Sequence, residues 1–119
     1  MGDLYYGMNA SPIQVPDRLL AHLKVVIATK LRRGESFTLT WQHAADEPAG
    51  RSTIWMQPAI PMRFVFGSPE PETLNADVVR DLAAAANSAS GLTVSLTDRI
   101  PDAGPEDGLV GRSQSGALR

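Results

Sequence analysis

Asp17-Arg-Leu-Leu-Ala-His-Leu-Lys-Val-Val-Ile-Ala-Thr-Lys-Leu-Arg-Arg-Gly-Glu-Ser-Phe-Thr-Leu-Thr-Trp41 is the stretch that decides the fold class. It reads as an amphipathic helix, a basic last turn, a glycine stop and an alternating strand. Asp17 is the expected N-cap. Leu19, Leu20, Leu23, Val26, Ile27 and Leu31 fall within an arc of roughly 140° when each residue advances about 100°. Arg18, His22, Thr29, Arg32 and Arg33 lie on the opposite side. Lys30 falls inside the apolar arc near the helix end, where its stem is expected to pack while its ammonium snorkels outward. Gly34 suits the residue after the cap. Beyond it Phe37, Leu39 and Trp41 share one face of a strand, and Thr38, Thr40 and Gln42 share the other.

Working outward, Leu4-Tyr5-Tyr6 and Ile13-Gln14-Val15 are short strands that pair back as a hairpin. His43 to Gly50 is a turn-forming loop. Strands then follow over Ser52–Gln57 and over Met62, Phe64 and Phe66. Residues 36–67 are therefore expected to form a three-stranded meander. Asn75 caps a second helix rich in alanine, which runs to about Asn87. Leu92, Val94 and Leu96 alternate in a last strand. The order β-β-α-β-β-β-α-β predicts a small α+β fold, with two helices on one face of a mostly antiparallel sheet. Residues 1–99 are expected to form a single α+β domain. Residues 100–119, dominated by Pro, Gly, Ser and charge, are expected to be a flexible tail.

A length of 119 residues suits one small domain, and a net charge of −2 argues against a wholesale polyanion binder. The charge is unevenly placed. Between Arg18 and Arg33 stand five basic and no acidic residues. With no cysteine, disulfides, thiolate catalysis and cysteine-held zinc are excluded for this chain. No signal-peptide pattern is visible, and the apolar runs fall far short of a membrane span. A cytoplasmic location without membrane contact is the default expectation.

Several stretches carry a family resemblance: Gly2-Asp-Leu-Tyr-Tyr-Gly, Asp17-Arg-Leu-Leu-Ala-His-Leu-Lys-Val-Val-Ile, Lys30-Leu-Arg-Arg-Gly-Glu-Ser-Phe, Gln57-Pro-Ala-Ile-Pro-Met-Arg-Phe, Leu74-Asn and Ala86-Asn-Ser. On these the chain resembles an uncharacterised family of actinobacterial proteins of about 100 residues, the size of one domain. Members of that family are often labelled ATP-dependent DNA ligase, so the resemblance implies a link to DNA. Such a ligase resembles other nucleotidyltransferases in placing its nucleophile in a Lys-x-Asp-Gly motif. Here Lys24 is followed by Val-Val-Ile and Lys30 by Leu-Arg-Arg. Neither fits that pattern.

No catalytic motif stands elsewhere in the chain; no serine has a nucleophile-elbow setting. No catalytic residue and no cofactor are expected. The leading functional feature is the basic stripe of Arg18, His22, Arg32 and Arg33, with Lys24 beside it, which suits contacts to phosphates. The competing reading is a solvated helix face whose last-turn cations complement the helix dipole. Trp41 alternates with core residues, whereas Trp55 opposes Ile54 and Met56, so one face of that strand must expose or cover a large ring. An exposed Trp55 would stack on a base or form an interface, including one between copies of the chain. His43, Asp46 and Glu47 share a loop but lack a metal-binding pattern, and surface polarity explains them.

Two partner classes follow. The first is DNA, or a protein of nucleic-acid metabolism, met by a non-enzymatic binding or adaptor module. The second is another copy of the chain, in a self-associating structural protein. A ligase-related or accessory activity is a third reading, carried by the resemblance alone.

Overall fold

A computed structural model describes residues 1–8, 11–96 and 100. Along the chain run β1 (Gly2–Tyr6), β2 (Ile13–Val15), α1 (Asp17–Arg32), β3 (Phe37–Gln42), β4 (Arg51–Met56), β5 (Met62–Val65), α2 (Ala76–Ala86) and β6 (Leu92–Val94). The fold is α+β and mostly antiparallel, as the patterning predicts. The expected tail lies outside the described residues except for Ile100, which is half-buried against the core.

The strands form two sheets of three rather than one, ordered β2-β1-β5 and β4-β3-β6. The expected meander is therefore corrected. β3 and β4 pair antiparallel as predicted, but β5 leaves them and pairs antiparallel with β1. Pro58 and Pro61 stand between β4 and β5; each lacks an N–H and cannot extend a ladder. The chain turns out of one sheet there and enters the other. β6 takes the free side of β3 in parallel, with Leu39 opposite Leu92 and Trp41 opposite Val94.

Alternation places the inner face of each sheet on a shared core. Leu4 and its partner Phe64 face inward from one sheet. Phe37, Leu39, Met56, Leu92 and Val94 do so from the other. Helix α1 adds Leu19, Leu20, Leu23, Val26 and Ile27 to the same core. A fully buried side chain of this kind contributes roughly 1.5–3 kcal/mol. That stripe outweighs any single cap.

The N-cap of α1 is corrected accordingly. Pro16 occupies that position with no side-chain cap, and its carbonyl accepts from Leu20 N at 2.9 Å. Asp17, one residue on, reaches across the chain. Its two carboxylate oxygens accept from Gly67 N at 3.0 Å and Ser68 N at 3.1 Å. The Gly67 amide in particular holds this carboxyl below the ordinary carboxylate range. At the other end the predicted stop is present. Gly34 has φ +74°, and Glu35 N and Gly34 N bond Lys30 O and Leu31 O, each at 3.0 Å. Asn75 caps α2 as expected, accepting from Asp77 N and Val78 N.

Gly91 also has positive φ, +78°, and sits at the entry to β6. A β-carbon at Gly91 would overlap Thr38 Oγ1, whereas one at Gly34 would meet nothing within 4 Å. Gly34→Ala is therefore expected to cost only the left-handed backbone penalty, about 1–2 kcal/mol. Gly91→Ala should lose clearly more, because β6 must also move off β3. Urea denaturation of the two variants side by side checks this.

Candidate functional site

The basic residues of α1 do not act as one stripe. Fourteen residues of helix separate Arg18 from Arg32, a rise of about 21 Å. Arg18 is half-buried; its Nε donates to Ile100 O at 3.2 Å, and Nη1 lies 4.0 Å from Glu72. Lys24 is exposed with its ammonium 5.7 Å from the Phe66 ring centre. Arg32 and Arg33 are exposed at the far end.

His22 is not on the surface at all: its relative exposure is 0%. It lies about 40° outside the apolar arc of the helix wheel. That flank meets the start of α2. Its Nδ1 lies 2.6 Å from Arg18 O, and its Nε2 accepts from Asn75 N at 2.8 Å. A carbonyl only accepts and an amide only donates, so these partners fix the neutral tautomer protonated at Nδ1. Burial pushes the His22 pKa below its ordinary value.

The expectation that the Lys30 ammonium snorkels into water is corrected in the same way. Lys30 is 7% exposed. Its Nζ donates to Asn87 Oδ1 at 2.6 Å and pairs with Glu35 Oε1 at 3.1 Å. The Phe37 ring centre lies 6.0 Å away. Asn87 is the C-cap of α2, so α1 grips α2 at both ends, through His22 and through Lys30.

Trp55 is 58% exposed, on the outer face of β4. Its cross-strand partner is Thr38, and the neighbouring Thr40–Thr53 pair shares a hydroxyl contact of 2.7 Å. Trp41, on the inner face, is half-buried against the core as predicted. The Tyr6 hydroxyl bonds Trp55 O and accepts from Gln57 N, tying the first sheet to the second. A cleft of about 240 Å³ opens beside Trp55, lined also by Lys30, Ser36, Thr38, Asn87 and Ser88. A wider groove of about 350 Å³ lies along Lys24, Phe66, Glu70, Glu72 and Leu74.

The loop after β3 is internally satisfied. His43 contacts Pro48 O at 3.0 Å through Nδ1 and Ser52 Oγ at 2.8 Å through Nε2, and Glu47 accepts from Ala44 N at 3.0 Å. Among the described residues no group of three or more His, Asp or Glu side chains is placed to hold a metal ion.

The structure thus gathers Trp55 and the end of α1 at one place, and leaves Arg18 and His22 elsewhere. Sequence reasoning missed Asn87 and Ser88 as site residues, because they read only as a helix end. The signal was the polar Asn-Ser step after an alanine run, joined to a lysine inside the apolar arc of the other helix.

Residues 1–97 match the family model of a domain of unknown function, DUF7882. The chain belongs to the DUF7882 family. The match runs from β1 through β6, so both helix clamps and the Trp55 cleft fall within the DUF7882 domain. Neither a curated protein nor a solved structure matches the chain.

The buried histidine makes the domain acid-sensitive in a definite sense. The folded state lowers the His22 pKa from an ordinary 6.5, so it favours the neutral ring. The contribution of His22 is intact above that value and is lost as pH falls through the lowered folded-state pKa. Thermal melts over this range should show Tm falling as acid is added. In His22→Gln the Tm should start lower, because the bridge to Asn75 is weakened, and should lose most of that slope.

Proposed function

We propose that this DUF7882 domain is a non-enzymatic, cytoplasmic binding or adaptor module. Its partner is DNA, or a protein that processes nucleic acid, met through Arg32 and Arg33. One observation carries this reading. Arg32 and Arg33 are adjacent, exposed and without an ion pair or side-chain hydrogen bond to any described residue. The other cations near α1 are already engaged: Arg18 by Glu72 and Ile100, Lys30 by Asn87 and Glu35, Lys24 over Phe66. Free guanidinium groups are suited to phosphate oxygens.

The resemblance to actinobacterial proteins labelled ATP-dependent DNA ligase supports a place in DNA metabolism. The absence of Lys-x-Asp-Gly limits that place to an accessory one. Among the described residues no helix is long and apolar enough to cross a membrane.

Fluorescence anisotropy of labelled duplex and single-stranded DNA, at low and moderate salt, tests the proposal. Saturable binding that weakens steeply with salt is expected. The Arg32→Ala/Arg33→Ala variant should bind more weakly, and its log–log salt slope should be shallower by about one per arginine removed. Unchanged binding in that variant would sink the assignment.

Self-association is the second reading, favoured by the exposure of Trp55 on an edge strand. The contact of Tyr6 with the end of that edge weighs against it. His43 N bonds Gly50 O at 2.9 Å, and alternation from that pair directs the peptide groups of Arg51, Thr53 and Trp55 to the open side. Tyr6 already occupies the Trp55 carbonyl, so a second strand could meet Arg51 and Thr53 but would have to displace Tyr6 to pair at Trp55. The first reading expects a monomer by sedimentation at all accessible concentrations. A dimer that disappears in Trp55→Ala would replace it with the second.

A further inference from the structure

We infer that the cleft beside Trp55 receives one unpaired base of a single-stranded nucleic acid, whose neighbouring phosphates run to Arg32 and Arg33. This inference rests on the nucleic-acid reading above and specifies which form of nucleic acid the domain takes.

The ring is the first ground. Trp55 is 58% exposed on a polar sheet face, with Thr38 opposite it, Thr40 and Thr53 alongside and the Gln42–Arg51 pair beyond them. An indole face turned to solvent is a stacking platform that accepts any base. A paired base inside a duplex shows only its edge, so stacking of this kind selects an open strand.

The size of the cleft agrees. Its volume of about 240 Å³ lies below the roughly 300–1,000 Å³ of pockets that take drug-sized ligands. It suits one flat ring with room for water.

The walls supply hydrogen-bonding groups at fixed places. Lysine can only donate, so the Asn87 atom on Lys30 Nζ is the amide oxygen. The Asn87 NH2 is thereby turned away from Lys30, and it has no acceptor among the described residues. Ser36, Thr38 and Ser88 line the same cleft. Together they offer donors and acceptors to a base edge. Lys30 acts as a positioning residue, since it holds Asn87 in this orientation.

Charge completes the argument. Ser36 lies three residues beyond Arg33, so their α-carbons are within about 11 Å of one another. Around the axis of α1, Arg33 lies about 60° from Lys30, which lines the cleft, whereas Arg32 lies about 160° from it, so Arg33 is placed for a phosphate next to the bound base and Arg32 for one further along the strand.

Anisotropy titrations of the full chain test the inference with three labelled probes: a short oligothymidylate, an abasic strand of the same length and a blunt-ended, fully paired duplex. Trp55→Ala is expected to weaken oligothymidylate binding by about tenfold to a hundredfold. Trp55→Phe, which keeps an aromatic face, should retain most of the affinity. The wild type should bind the abasic strand about as weakly as Trp55→Ala binds oligothymidylate. Binding of the duplex should be the same for wild type and Trp55→Ala. In a Trp41→Phe background the indole emission comes from Trp55 alone, and oligothymidylate should quench it.

If Trp55→Ala binds oligothymidylate like wild type while binding still depends on Arg32 and Arg33, the base-stacking inference falls and the nucleic-acid module stands. If the wild type binds none of the probes at low salt, both fall. A concentration-dependent dimer abolished by Trp55→Ala, without nucleic-acid binding, would assign Trp55 to a second copy of the chain and also overturn the inference.

Discussion

Two polar side chains buried in α1 hold the second helix at both of its ends. His22 accepts from the backbone of the N-cap Asn75, and Lys30 donates to the side chain of the C-cap Asn87. The need for this is visible in α2 itself. Ala86 is buried, but Val79, Leu82, Ala83 and Ala85 are only half-buried, and alanine offers little apolar area. Its hold on the core is weak for its length. Partly buried hydrogen bonds supply direction where apolar contact supplies little. Because the caps are fixed, the start of β6 and the walls of the Trp55 cleft are fixed as well.

Both clamp residues were legible as types but not as roles. The helix wheel correctly separates Leu19, Leu20, Leu23, Val26 and Ile27 from the rest. It cannot say which flank another element will cover, and α2 covers the flank that bears His22. It also places Lys30 toward the core without revealing that Asn87 and Glu35 wait there. The pairing of strands was legible where partners are close in sequence, as with β1–β2 and β3–β4. It was not legible for β5, whose inner residues Met62 and Phe64 alternate equally well beside either sheet. The choice of β1 as partner is a tertiary decision.

The site shows the same division. The outward direction of Trp55 follows from alternation with Ile54 and Met56, and among the described residues no helix or strand covers that face. The prominence of Arg32 and Arg33 over Arg18 does not follow from composition. All three are arginines near one helix, yet one is bound to Glu72 and to the carbonyl of Ile100, whereas the other two stand at the far end beside Ser36. What makes a basic residue available is the absence of a partner, and partners come from distant parts of the chain.

The strand order also dictates when this domain can come together. The β1–β2 hairpin closes locally, but the other side of β1 waits for residues 62–65, and the free side of β3 waits for residues 92–94. Each such closure spans a long loop whose entropy is lost before the contact is gained. Helix α1 can form early, yet its apolar stripe has no complete cover until both closures are made. During synthesis on the ribosome the nascent chain must therefore carry an uncovered hydrophobic helix until almost all of the domain has emerged, which makes its last strand the step that commits it to the native state.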